Sequence, residues 1–263
     1  MHNFEFVKPS TVAGAVSALS RDGAQALSGG QTLTPTMKQR LAAPTVLVSL
    51  NGIAEMKGVH HTKEGGVSIG AATTHAEVAR ELAKLYPALS KLAGGIGDPA
   101  VRNRGTIGGS LANDDPAACY PAGVLGSGAS IVTNKRTITS DDFFQGMFTT
   151  ALKEGEIITS VIFPVMPKHA AYVKFNQPAS RFALTGVFVA KFADGVRVAV
   201  TGASNNGVFR WKEAEAALAL DFRASAIAGL NVSAKDLIND LHGSAEYRAN
   251  LVKVLTGRAV TAA

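Results

Sequence analysis

Two stretches of the chain concentrate the means to hold an anion. One is ALSGGQTLTPTMKQRLAAP, residues 26–44, and the other is RNRGTIGGSLANDDP, residues 102–116. In the first, Gly29 and Gly30 follow a short apolar run and are joined by Ser28, Gln31, Thr32 and Thr34. In the second, Gly108 and Gly109 lie between Thr106 and Ser110. Glycine permits positive φ and has no Cβ, so consecutive backbone N–H groups can converge on a phosphate that approaches closely. A helix beginning just after the first stretch adds the partial positive charge of its N-terminus. Either stretch alone reads first as an ordinary turn; it is the repetition of the device that points to a shared anionic ligand.

Other nucleotide and catalytic motifs are excluded by the residues. There is no G-x-x-x-x-G-K-[ST] and no G-x-S-x-G. Gly95-Ile96-Gly97-Asp98-Pro99-Ala100 fits G-x-G-x-x-A, but it follows a helical pattern rather than a strand, and Pro99 interrupts its middle, so it is not a dinucleotide fingerprint. The six histidines include no pair at helical ligand spacing, and His60–His61 reads as a solvated doublet. A single cysteine, Cys119, rules out an internal disulfide and any thiolate-built zinc or iron–sulfur site from this chain alone. Redox chemistry here would need a borrowed organic cofactor.

The 263 residues suffice for one large domain or two modest ones, and 46% apolar with 17% charged residues is an ordinary globular balance. The net charge of +6 is scattered rather than striped, and no aromatic run interleaves with it, which argues against nucleic acid. No apolar run approaches the roughly 18 residues of a membrane span. The opening MHNFEFVKPS has no signal layout, so a cytoplasmic protein is expected.

The elements that must position the two stretches can be read from periodicity. STVAGAVSAL predicts a helix with Val12, Val16 and Leu19 on one face and Ser10 as its cap. TVLVSL and GGVSIGAATT predict strands. THAEVARELAKLYPAL predicts a helix opened by a Thr74–Glu77 capping box, with Val78, Leu82, Leu85 and Leu89 sharing a face. From Gly105 to Pro164 the pattern is glycine-rich turns and short strands (ASIVTN, RTITS, EIITSVIFP), with Asp141 and Asp142 as a helix-start pair. AYVKF, ALTGVFVAKF and VRVAVTGAS follow, the last two joined by a tight Asp194-Gly195 hairpin. Helices are expected in WKEAEAALAL, SAKDLINDL and AEYRANLVKVL. The sum is an α+β protein with a two-lobed portion over 1–167 (lobes about 1–57 and 58–167) and a smaller sheet-plus-helix domain over 168–263.

The two glycine stretches in this order, the second continuing into DDPAACYPA, resemble those of the FAD-binding medium subunits of the molybdenum hydroxylases. These comprise the xanthine dehydrogenase and aerobic carbon monoxide dehydrogenase family. DDFFQGMFTTALKEGEIITSVIFP and YVKFNQPASRFALTGVFVA extend the resemblance over essentially the whole chain. It implies an FAD-binding fold of the vanillyl-alcohol oxidase type, followed by the C-terminal domain of the carbon monoxide dehydrogenase flavoproteins. It also implies that FAD lies between the N-terminal lobes, with Leu27, Ser28, Gly29, Gly30, Gln31, Thr32 and Leu33 as one cradle for its diphosphate. Thr106, Ile107, Gly108, Gly109 and Ser110 form the second cradle. Ile96 falls near the flavin, Ile158 on the adenine side, and Lys174 where the family has a lysine near the cofactor; a solvated strand charge is the competing reading of Lys174.

Some members carry an acidic FAD ligand where this chain has Cys119; Asp115 or Asp114 is then the candidate to supply a polar contact, or else to cap the segment that follows. The resemblance further implies no catalytic residue and no metal on this chain. A large subunit with the molybdenum cofactor and a small subunit with 2Fe-2S clusters would be its partners, in a dimer of heterotrimers. The chain would pass electrons from the clusters through FAD to an outside acceptor. QPASRFA and NDDPAACYPA lean towards the carbon monoxide dehydrogenase-like branch. On the residues alone, a stand-alone FAD reductase or oxidase and a non-catalytic nucleotide-binding scaffold stay open.

Overall fold

The computed structural model describes all residues, 1–263. The chain begins with a three-stranded parallel sheet in the order Glu5–Val7, Val46–Ser49, Ala24–Leu27. Its central strand is buried throughout, as an unbroken VLVS run requires when both faces are covered. Two short helices, Val12–Leu19 and Leu33–Lys38, make the crossovers. The first is capped by Thr11, one residue later than expected, whose hydroxyl accepts from Gly14 N–H at 3.1 Å.

A five-stranded antiparallel sheet follows, in the order Val59–His61, Val67–Gly70, Ile158–Phe163, Ser130–Thr133, Thr137–Thr139. A separate four-stranded antiparallel sheet, His169–Asn176, Ala183–Lys191, Val196–Thr201, Phe209–Arg210, carries the helices Lys212–Leu220 and Ala245–Ala262. One apolar core unites the first two sheets and reaches Tyr172 and Phe188 of the third; another fills the C-terminal layer around Val187, Val198, Trp211 and Leu255. The α+β expectation holds. No helix is long and apolar enough to cross a membrane.

Several local expectations give way to tertiary forces. The capping box at Thr74 and Glu77 is present, but its helix ends at Glu81, and a second one, Pro87–Gly94, begins with proline at its first position. Proline has no N–H to continue the first helix and is suited to start the next. Leu85, between them, is 39% exposed. SAKDLINDL forms no helix. Its backbone is taken by the loop beside the third sheet: Asn205 N–H donates to Asp236 O, and Ile238 N–H to Ala203 O. The Asp194-Gly195 hairpin is a four-residue connection, closed by Phe192 N–H on Gly195 O at 2.8 Å, and Gly195 does not use positive φ. Asp141 and Asp142 do lie in a first helical turn, capped by Thr139, and Asp141 also pairs with Arg197 and Arg210.

The stretch from Gly105 to Pro164 hides two helices, Ile107–Asn113 and Tyr120–Gly126. Two glycines in the first cost it about 2 kcal/mol in propensity, but burying Ile107 and Leu111 completely offsets that by about 3–6 kcal/mol. The second helix is buried at every position. A Cβ on Gly123 would stand 2.7 Å from Leu92 Cδ1, and one on Gly126 2.7 Å from Phe188 Cδ1, so its glycines serve close packing.

The turn before the Ile158–Phe163 strand is pinned by Glu156, whose carboxylate is fully buried. It accepts from Arg136 Nε at 3.0 Å and Nη2 at 3.1 Å, from Thr133 Oγ1 at 2.8 Å and from Lys153 N–H at 2.9 Å. The Arg136 hydrogen bonds, then those from Lys153 and Thr133, win over burial and push its pKa down to about 2. A carboxyl held low in the fold stabilises it fully above its unfolded pKa, and that contribution is lost as pH falls towards 2. Glu156→Gln is therefore expected to lower stability by about 2 kcal/mol at pH 7. The difference should shrink below pH 4.5 and vanish near pH 2, as read from urea midpoints across that range.

Candidate functional site

The Ala24–Leu27 strand ends at the carboxyl edge of the parallel sheet, and the chain turns there through residues 28–32 into the helix Leu33–Lys38. Gly30 takes φ +70°, a conformation that strains any residue with a Cβ. The backbone N–H groups of Ser28, Gly29, Gly30, Gln31 and Thr32 make no hydrogen bond within the protein. Five consecutive unpaired donors are uncommon in folded chains, which pair nearly all their backbone polar groups internally or with water or a ligand.

The second glycine stretch is built differently. It is the capped start of the helix Ile107–Asn113, with Thr106 as N-cap. Its donors are already used: Ile107 N–H on Thr73 O, Gly108 N–H on Ala71 O, Gly109 N–H on Thr106 Oγ1 and Ser110 N–H on Thr106 O. By their residues both stretches could offer backbone N–H groups alike; the structure leaves free donors only in the first. A Cβ on Gly108 would meet Ala71 Cβ at 2.5 Å, so that glycine seats the helix on the strand end. Gly109 is less crowded, with Thr106 Oγ1 at 3.0 Å and Ser28 Cβ at 3.6 Å as the nearest neighbours of a Cβ placed there.

The two stretches touch. Ser28 Oγ and Thr106 Oγ1 share a hydrogen bond of 2.8 Å. A Cβ on Gly29 would stand 2.6 Å from Gly105 Cα and closer still to Arg104 O. Both border one cavity of about 630 Å³, within the size range of cofactor sites. Leu27, Ser28, Gly29, Gly30, Gln31, Thr32 and Leu33 line it, as do Thr106, Gly108, Gly109, Ser110, Ile96, Asp115, Ile158 and Lys174. Ile107 does not: its side chain is fully buried in the core. Ile96 follows the helix Pro87–Gly94, so the G-x-G-x-x-A lookalike indeed lacks a preceding strand.

Lys174 projects from the third sheet and is not a free surface charge. Its Nζ donates to Gly95 O at 2.8 Å, to Arg181 O at 2.8 Å and to Cys119 Sγ at 3.5 Å. Of the adjacent acids, Asp115 lines the cavity and accepts from Ala117 N–H at 2.8 Å, while Asp114 ends the helix Ile107–Asn113 in the left-handed conformation. Burial, then the neighbouring Asp115, pushes Asp114 up to about 7, and burial also raises Asp115. Cys119 is buried at the same wall. His75, Met56, Leu152 and Phe182 also line the cavity. No local pattern marks them: His75 stands in no motif, and the rest arrive through long-range packing.

Residues 2–166 match the family described as FAD binding domain in molybdopterin dehydrogenase. The chain is 34% identical to the nicotine 6-hydroxylase medium subunit of Paenarthrobacter nicotinovorans, over 98% of this chain and 96% of that one. It is 31% identical to the carbon monoxide dehydrogenase medium chain of Hydrogenophaga pseudoflava, over 99% and 96%. Its structure is similar to that of reconstituted carbon monoxide dehydrogenase from Oligotropha carboxidovorans, with a TM-score of 0.87 at 30% identity, covering 99% of this chain and 97% of that one. A mixed helix–strand fold around a glycine turn with unpaired N–H groups, together with that family match, defines a flavin-nucleotide-binding protein. The chain belongs to the FAD-binding subunits of the molybdenum hydroxylases.

Gly108 and Gly109 are expected to separate on substitution. Gly108→Ala should lower stability by about 1–3 kcal/mol through overpacking against Ala71, visible as a reduced urea midpoint of the cofactor-free chain. Gly109→Ala, whose Cβ would crowd only the Thr106 hydroxyl at 3.0 Å, should lower it less.

Proposed function

We propose that this chain carries FAD in the cavity described above and transfers electrons within a molybdenum hydroxylase complex. The observation that carries the site assignment is the run of five unpaired N–H groups at residues 28–32, facing a wall on which Gly109 is the least crowded glycine. Hydrogen bonds from backbone N–H to a phosphate oxygen are charge-assisted and roughly twice as strong as neutral ones. Leu27 to Leu33 would hold the diphosphate, with Thr106, Gly108, Gly109 and Ser110 as the opposing wall and Ile107 as the anchor that fixes that wall. Ile96 and Ile158 would offer apolar contact, and Asp115 a polar one. When bound, FAD supplies the capacity to take up electrons singly and to hold two.

On this reading Lys174 places a fixed positive charge at the cavity, braced by two carbonyls, where it favours a more negative occupant. The chain divides at 167/168 into an FAD-binding part with lobes 1–57 and 58–167 and a C-terminal domain over 168–263; the third sheet beginning at His169 and the family match ending at 166 support that division. Its one cysteine cannot bind an iron–sulfur cluster, so such clusters and the molybdenum cofactor would belong to small and large partner subunits, in a dimer of heterotrimers. The medium-subunit names of its relatives support partnership of that kind. Those relatives are named for nicotine and for carbon monoxide at similar identity, which supports a substrate chosen on another chain. A cytoplasmic site of action belongs to the same proposal.

The purified chain is expected to be yellow, with FAD released on denaturation. A colourless chain indifferent to added FAD would leave a scaffold, and turnover of a substrate by the chain alone would make it a self-sufficient oxidase or reductase. Gly109→Val should lose FAD while lowering the thermal midpoint of the cofactor-free protein less than Gly108→Val, because its larger side chain enters the cavity rather than the core. Lys174→Met should lower the midpoint potential of bound flavin in a redox titration; an unchanged potential would reduce Lys174 to a structural brace.

A further inference from the structure

We propose that His75 is a further cofactor-holding residue, its Nε2–H donating a hydrogen bond to a phosphate oxygen of the dinucleotide cradled by residues 28–32. This rests on the FAD reading above. His75 is the first residue of the helix His75–Glu81, and its backbone N–H donates to Gly105 O at 2.9 Å. The side chain is 5% exposed and lines the cavity. Neither ring nitrogen has a hydrogen-bond partner in the protein, and Nδ1 is sealed from solvent. Nδ1 stays orphaned in either tautomer, and Nε2 is the ring nitrogen that keeps some exposure. In a side chain that lines the cavity and is otherwise buried, an unpaired nitrogen of that kind points to the ligand.

The tautomer follows from the same geometry. A proton on Nδ1 would be buried facing no acceptor, so the proton of the neutral ring belongs on Nε2. Burial, helped by the positive charge of Arg102, pushes the imidazole down to about 4, which leaves it neutral near pH 7 with a single N–H to donate. Nε2 lies against Gly105, where a Cβ would stand only 2.5 Å away. Gly105 Cα in turn backs onto Gly29. One glycine therefore separates this donor from the run of unpaired N–H groups. The ring rests on fully buried Tyr120, with 5.3 Å between centroids, so its orientation is set before any ligand arrives.

The test uses the full chain freed of cofactor, with FAD as the probe. His75→Phe keeps the ring packing and removes the donor; its dissociation constant for FAD is expected to rise on the order of tenfold to a hundredfold. His75→Gln, which retains an N–H at a similar reach, should recover most of the affinity. In wild type carrying 15N in its histidine rings, FAD should shift the His75 Nε2–H resonance. The phosphorus resonances of bound FAD should differ between wild type and His75→Phe. The proposal is overturned if His75→Phe binds FAD as tightly as wild type, if His75→Gln fails together with it, or if the imidazole or phosphorus resonances do not respond. Should His75→Phe not fold, His75→Gln and the wild-type imidazole signal decide. Wild type that takes up no FAD would instead overturn the cofactor reading itself.

Discussion

The approach of Gly29 to the Arg104–Gly105 backbone is the contact on which the rest of the molecule depends. It is possible only because Gly29 has no Cβ, and it is locked by the Ser28–Thr106 hydroxyl pair. The first sheet and the second share an apolar core but no strand pairing, one being parallel and the other antiparallel. Pressing the Gly29 turn onto Gly105 fixes their relative position at the carboxyl edge of the parallel strands. The same contact holds the turn with its N–H groups unpaired, since a turn free to relax would find internal acceptors for them.

Around that contact the site divides its work. The turn at residues 28–32 keeps hydrogen-bonding capacity in reserve, whereas the start of the helix Ile107–Asn113 has used its own to dock on Ala71 and Thr73. A wall with satisfied donors is rigid, and in the proposed role that rigidity lets the unsatisfied side serve as a preorganised cradle. The third sheet completes the enclosure through Lys174, whose ammonium ties the end of the helix Pro87–Gly94 to the turn carrying Arg181. One side chain thereby couples the C-terminal layer to the cavity wall.

Much of this was legible in the residues. Gly29–Gly30 after an apolar run, the Thr74–Glu77 capping box and the VLVS strand each announce themselves by local chemistry, and the structure keeps all three. The helices Ile107–Asn113 and Tyr120–Gly126 were not legible, because glycine and proline lower helix propensity and only the burial of Ile107 and Leu111 in one and of every residue in the other restores the balance. SAKDLINDL has the opposite history: a helical pattern whose backbone groups are claimed by the loop at residues 203–205. His75 stands outside any motif. Its place beside Gly105 comes from the pairing of Thr74 with Thr106, a meeting of distant segments.

What the sequence determined by itself is the inventory: an α+β chain with two side-chain-poor turns, hydroxyls beside them, one cysteine and no metal-ligand spacing. Those properties follow from residue type and near-neighbour spacing, which need no knowledge of distant partners. The tertiary structure alone decided which of the two glycine turns keeps free donors, that Ile107 anchors rather than lines, and that Lys174 and His75 face one cavity. Hydrogen-bond satisfaction is settled by whatever distant backbone arrives alongside, and no local pattern records that arrival.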